Sequence, residues 1–400
     1  MRQLRTRDAR ALRRPIGKAE GEVFLVACLI SVASGLIIIG VNLKAIEIGG
    51  GVKFLGLLGF VRAATFMLSS IGWGWVSDRF GRRESIVRFS CFLHLVVAVM
   101  LVWAGSLGLL TVGAAAFAFT EGMLWSPFEG WLGERAERGG RRRWLGTFNL
   151  GWCSGFALGA GAGGVAREMN PGLPFYSAAA TCLLAWVVAL FLEAVGKRIE
   201  EEEVNREVEQ IPVDRPMWMR LSWVAGFGNV FCLSSVLNLF PKQGRELLFS
   251  DGTVGFLIGL MILGELVAFA FTSLTTSWQR KIAVLAGIQG LTVGGLLWLA
   301  RSEQAASFIV VFPLVGMTVG IGYSSSLLFS ISSPSGKGLR AAIHEGMGAL
   351  GGLIAPPLGG ILAALAGRKM PHLISGLVLT GCILVELQML RRGRGRVKRS

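Results

Sequence analysis

Gly74-Trp75-Val76-Ser77-Asp78-Arg79-Phe80-Gly81-Arg82-Arg83 packs one acid, three arginines and two glycines into ten residues between two long apolar runs. A connector between helices needs only polarity, yet this one has an order, G-x-x-x-D-R-x-G-R-R. The flanking runs set its context. The chain has 400 residues, 52% of them hydrophobic and only 16% charged, with a mean hydropathy of +0.59. A soluble domain carries about 25% charged residues. About 20 apolar residues at 1.5 Å each cross the hydrocarbon of a bilayer. Several runs of that length are present, so the chain reads as a polytopic, all-α membrane protein.

Twelve spans are expected, at 22–43, 53–77, 85–104, 107–131, 144–166, 173–195, 219–240, 252–277, 281–300, 305–331, 340–366 and 371–390. They divide the chain into a basic arm (1–21), a six-helix bundle (22–196), a polar linker (197–218), a second six-helix bundle (219–390) and a basic tail (391–400). The linker holds Glu200-Glu201-Glu202-Glu203, which reads as a solvated face. The arm precedes an apolar run too long for a signal-peptide core, so no cleaved signal is expected.

The net charge of +15 would suggest nucleic acid in a soluble protein. Here the cations cluster at span ends. With twelve spans, 31 of the 40 lysines and arginines fall on the side holding the termini and 8 on the other, with Arg62 inside a span. That asymmetry predicts that both termini are cytoplasmic and that the arm lies on anionic lipid. Nucleic acid is not an expected partner. The six cysteines sit inside apolar runs without a C-x-x-C pair and read as small packers. The three histidines, His94, His344 and His372, are far apart, so no metal site is expected.

The opening motif resembles the signature loop between the second and third helices of the major facilitator superfamily of transporters. Ala355-Pro356-Pro357-Leu358-Gly359-Gly360 is similar to the G-P-x-x-G-G ending found in helix 5 or 11 of that superfamily, with Ala355 and Pro357 as departures. The glycines of helix 5, Gly151, Gly155, Gly159 and Gly163-Gly164, lack the proline of the antiporter-type signature. The resemblance implies two pseudo-symmetric six-helix halves that rock about a midplane site. It also implies a cytoplasmic gate at Gly74, Asp78, Arg79, Gly81, Arg82 and Arg83. In it the acid caps the start of helix 11, an interaction of about 0.3–1 kcal/mol at an exposed helix N-terminus. Gly74 would let helices 2 and 11 approach, and Gly81 permits the turn.

Ionisable residues inside spans are functional candidates because they are costly there. They are Arg62, Glu121, Glu265, His344 and Glu345. A carboxylate withdrawn from water is a candidate proton carrier. Arg62 could neutralise one of the acids or hold an anion, and each of the five could equally be a structural pair. His344-Glu345 could serve gate or coupling. Glu386 and His94 fall on helices that are peripheral in the family's fold and read as packing. Glu129, Glu134 and Arg141-Arg142-Arg143 read as salt-bridge partners near the gate. Asn149, Asn229, Asn238 and Tyr323 are candidate polar contacts of a cavity.

These readings favour a monomeric secondary transporter in the plasma membrane that exchanges a small molecule with protons and needs no cofactor. Twelve tryptophans and few mid-span charges favour efflux of apolar or amphipathic compounds. Uptake or exchange of a small anionic metabolite is the alternative, and a transport-inactive sensor is another. No P-loop, H-E-x-x-H or nucleophile–base set is present, so an enzyme is not expected.

Overall fold

The computed structural model describes residues 18–137, 141–192, 215–331 and 337–397, and every element among them is a helix. In order these are α1 (Lys18–Glu47), α2 (Val52–Phe80), α3 (Arg83–Val102), α4 (Leu107–Glu137), α5 (Arg141–Met169) and α6 (Leu173–Ala189). Then come α7 (Arg215–Glu246), α8 (Asp251–Leu274), α9 (Ile282–Leu299), α10 (Ala305–Ile331), α11 (Lys337–Ala366) and α12 (Met370–Val397). The basic arm through Gly17, the acidic run of the linker and the last three residues lie outside the described residues. So do the side chains of Glu134 and Arg141–Arg143.

Ten of the helices are long and apolar enough to cross a membrane. α6 has only 17 residues, and α5 carries glycine where the others carry bulky apolar side chains. Large apolar side chains also point outward, among them Met100, Trp103 and Val112, each about two-thirds exposed. Surfaces of that kind seek lipid. Inside hydrocarbon every backbone polar group must be satisfied by the protein itself, which is why the described spans are helical.

Local chemistry explains where the helices stop. Gly81 closes α2 with φ +62, a left-handed geometry that glycine adopts without strain, and its N–H reaches the Ser77 carbonyl at 2.9 Å. α6 ends at Ala189, earlier than the sequence suggested. Arg88 of α3 donates to the carbonyls of Ala189 (3.1 Å) and Leu192, which substitutes for further helical turns. α8 starts at Ser250, whose hydroxyl accepts from the Thr253 N–H at 3.2 Å. Arg245 holds Asp251 in its first turn through two hydrogen bonds, one of 2.6 Å.

The helices cluster into two compact units. The first combines Met1–Val41 with Thr65–Val195. Within it α3 packs between α4 and α6. Gly155 and Gly159 of α5 lie directly against the carbonyl groups of Cys28 and Val32 on α1. A glycine every fourth residue makes one smooth face. In lipid, where apolar tails offer no hydrophobic drive between helices, van der Waals contact of that kind is what holds them together. Trp125, Phe128 and Phe148 form edge-to-face and tilted ring contacts between α4 and α5.

The second unit combines Asn42–Ala64 with Gly196–Ser400. The end of α1 and the first part of α2 thus cluster with the last six helices. In this unit α7 packs on α10, α11 and α12, α8 on α10, and α9 on α10 and α12. Phe240, Phe308 and Phe312 stack a compact aromatic core between α7 and α10. The six cysteines are free, five of them buried.

Replacing Gly159 by leucine should drive α1 and α5 apart, with an overpacking penalty of about 1–3 kcal/mol or more. Thermal unfolding in detergent should show a clearly lowered midpoint, whereas Gly161→Leu, which has open space at its Cβ position, should not.

Candidate functional site

The motif loop is built by the last turn of α2 and the first of α3. Asp78 is exposed and pairs with Arg83 at 2.6 Å. The Arg83 guanidinium also lies across Gly130 of α4, and a side chain there would have to displace it. The guanidinium of Arg79 sits 5.6 Å from the Trp75 ring centre, a cation–π arrangement. Arg82 occupies the cap position of α3. Gly74 faces α4: a Cβ there would meet the Ser126 hydroxyl oxygen at 2.6 Å.

The glycines that touch α11 are at the other end of α2. A Cβ at Gly56 would lie 2.5 Å from the Pro356 carbonyl oxygen, and one at Gly59 would lie 2.7 Å from the Pro356 ring and 2.8 Å from Asn238. Gly360 in turn lies on the backbone of Val52 and Gly56. One helical turn beyond Gly59, Arg62 donates to Asn238 of α7 and, at 3.3 Å, to Asn42 of α1. Asn42 donates to the Leu237 carbonyl at 3.3 Å. Asn238 is itself anchored on Ser234 at 2.7 Å, and Ser234 donates to the Gly352 carbonyl of α11 at 3.2 Å. The result is a clamp of one cation and two amides joining α1, α2, α7 and α11.

The acids divide between the units. In the first, Glu121 of α4 accepts from Ser34 of α1 at 2.6 Å. In the second, Glu265 of α8 is 3% exposed, and its Oε2 is buried without a hydrogen-bond partner among the described residues. It lies where α8 meets α10, beside Gly316 and Gly320. Further along that seam Thr272 and Ser324 hydroxyls are 2.9 Å apart, and the Phe269 ring meets Tyr323 edge-on at 5.8 Å. Tyr323 then reaches α11: its hydroxyl donates to Glu345 at 3.5 Å and its ring meets His344 at 4.8 Å. His344 is buried, with Nδ1 2.7 Å from the Ser326 hydroxyl and Nε2 3.5 Å from Glu345. Glu345 is 63% exposed. Tyr323, His344 and Glu345 are therefore one group. Asn149 accepts from Trp152 on its own helix at 3.1 Å. Asn229 is 1% exposed and donates to the Thr318 carbonyl at 2.8 Å.

The family model of the Major Facilitator Superfamily matches residues 23–337. The chain belongs to this superfamily. The quinolone resistance protein NorA of Staphylococcus aureus (strain MSSA476) is 23% identical over 382 residues, 92% of this chain and 95% of that protein. Multidrug resistance protein 1 of Bacillus subtilis (strain 168) is 24% identical over 308 residues, covering 74% of this chain and 77% of the relative. Among solved structures, a bacterial homolog of the human lysosomal transporter Spinster superposes with a TM-score of 0.70 at 14% identity over 93% of this chain and 96% of its own. The human organic anion transporter MFSD10 gives 0.67 at 15% identity, with 94% and 100% covered. The protein is a twelve-helix, multi-span transporter of the major facilitator type.

Within that fold, sequence reasoning named Arg62 and Asn238 separately and did not pair them. It named Ser326 beside Tyr323 and passed over Asn42 and Ser34. The signal for Asn42 was present, as a polar side chain inside an apolar run. Serine is small and common in such helices, and nothing in the sequence marks Ser34.

Asn238→Ala should remove one acceptor of the Arg62 guanidinium. Leaving a buried charged donor short of a partner costs about 1–3 kcal/mol. The expected result is a lowered melting temperature that Arg62→Leu, combined with Asn238→Leu, partly restores.

Proposed function

We propose that the protein is a proton-coupled exporter of apolar or amphipathic small molecules, working by alternating access in the plasma membrane with both termini cytoplasmic. The observation that carries this reading is the clamp of Arg62, Asn42 and Asn238, together with the glycine contacts of α2 on Pro356. It seals α1 and α2 to α7 and α11 at the end of α2 away from the motif loop. The bias of lysine and arginine toward the termini makes that end the outer one.

The motif loop is the counterpart latch. Its acid is exposed and paired locally with Arg83. In the alternate state Asp78 moves onto the N-terminus of α11, where a carboxylate is favoured by the helix dipole. Closing one end releases the other.

The proton is carried by Glu265, a buried carboxylate on the seam of α8 and α10, with the Tyr323–His344–Glu345 group offering an acidic, aromatic face to cargo. Glu121 and Ser34 line the first unit in the same role. Arg62 donates to two asparagines on neighbouring helices, which favours a gate residue over an anion site. The names of two relatives, a quinolone resistance protein and a multidrug resistance protein, support drug-like cargo.

Proteoliposomes with an imposed proton gradient test this. An amphipathic fluorescent dye should be concentrated against its gradient, with proton movement linked to it. Glu265→Gln should lower gradient-driven transport at least about tenfold, or 1.4 kcal/mol in the barrier, while dye still equilibrates. Full activity in that variant would remove Glu265 from the mechanism. Asp78→Asn should slow turnover at normal expression, and unchanged flux would refute the latch.

A further inference from the structure

The second unit contains a buried polar cluster that neither the clamp nor the Tyr323 group uses. Glu386 of α12, Gln289 of α9 and Thr292 of α9 are all 0% exposed, and Asn229 and Thr318 are 1% exposed. The two amide protons of Gln289 Nε2 go to Glu386 Oε1 and Asn229 Oδ1, each at 3.1 Å. Asn229 Nδ2 donates to the Thr318 carbonyl, and the hydroxyls of Thr318 and Thr292 lie 2.7 Å apart. Amide orientation follows from this network: Asn229 must present nitrogen to a carbonyl, so its oxygen faces the Gln289 nitrogen.

Two atoms are left over. Glu386 Oε2 and Gln289 Oε1 are buried without hydrogen-bond partners among the described residues. Both are acceptors when Glu386 is ionised. A proton on Glu386 converts one of the two into a donor and removes an isolated charge from the bundle interior, where charge without a partner is expensive. Among the described residues no ion pair brings a cation to Glu386 to do this instead. α7 and α9 present the neutral amides Asn229 and Gln289, α12 itself presents Cys382 one turn earlier, and on α11 His344 and Glu345 bond to Ser326 and Tyr323 of α10. No lysine, arginine or histidine forms an ion pair with Glu386 among the described residues.

The cluster also touches the candidate site. The Asn229 amide seats on Gly322 of α10, where any side chain would collide with it. The next residues are Tyr323, Ser324 and Ser326, which contact Glu345, Thr272 and His344. We propose that Glu386 is a second proton-binding residue, set in the peripheral pair α9–α12, whose proton is read through Gln289 and Asn229 by the stretch of α10 that holds Tyr323. The step is a simple proton uptake by the Glu386 carboxylate, with no other bond made or broken. When the proton leaves, Gln289 is drawn to the carboxylate and its hold on Asn229 loosens. The proposal rests on the proton-coupled reading above.

The test compares wild type with Glu386→Gln, which keeps the shape and removes the titration, and with Gln289→Leu, which cuts the connection and keeps the acid. Infrared difference spectra on a pH jump, taken without substrate, should show a protonated-carboxyl carbonyl band that Glu386→Gln lacks and Gln289→Leu retains. In proteoliposomes, KM for the dye should vary several-fold less with pH in both variants, with melting temperature preserved in Glu386→Gln. An unchanged infrared band in Glu386→Gln, or a wild-type pH profile for its KM, overturns the proposal. If wild type moves no protons with the dye, the coupled-export reading fails instead, and the infrared result still decides whether Glu386 binds a proton.

Discussion

Helices in lipid gain no hydrophobic drive from one another and depend on close contact, and the closest contacts here are made where one backbone lies on another. Gly155 and Gly159 on α1, and Gly56, Gly59 and Gly360 between α2 and α11, leave no room for even a methyl group. At that range dispersion is at its strongest and side-chain entropy is not lost, which suits an interior with no water to expel. Such faces are also smooth. The same glycines that let helices pack tightly let them part and re-form without dragging side chains over one another, as a transporter that alternates between states requires.

Against that smooth background the polar groups act as discrete fasteners. Arg62 bridges Asn42 and Asn238, Glu121 meets Ser34, and Gln289 ties Glu386 to Asn229. Each joins helices far apart in sequence. Unpaired, each would face hydrocarbon or a dry interior, so these links are broken only when something else satisfies the groups. That condition makes them suited to two-state behaviour: a gate amide can exchange for water, and a buried acid can exchange charge for a proton.

Much of this architecture was legible in the sequence. Twelve apolar runs, a basic bias to one side and the ordered loop at 74–83 led to the superfamily, because span length and motif chemistry are local properties. The loop kept its local geometry in the structure, with the turn at Gly81 and the pairing of Asp78 with Arg83. Gly74 faces Ser126 of α4, and Gly56 and Gly59, about four to five helical turns back along α2 where no motif marks them, lie on α11.

The sequence by itself determined the number and order of the helices, the superfamily, and which residues are too polar for their surroundings. Those follow from hydropathy and from charge, which each residue carries alone. The tertiary structure decided which of them meet. Arg62 with Asn238, Tyr323 with His344 and Glu345, and Glu386 with Gln289 are pairings across 176, 22 and 97 residues of chain. A helix face is set by rotation about its axis, and that rotation is fixed by the neighbours it packs against. Glu386 looked peripheral for this reason: its helix is a peripheral one in the family's fold, yet its side chain turns inward to the Gln289 amide.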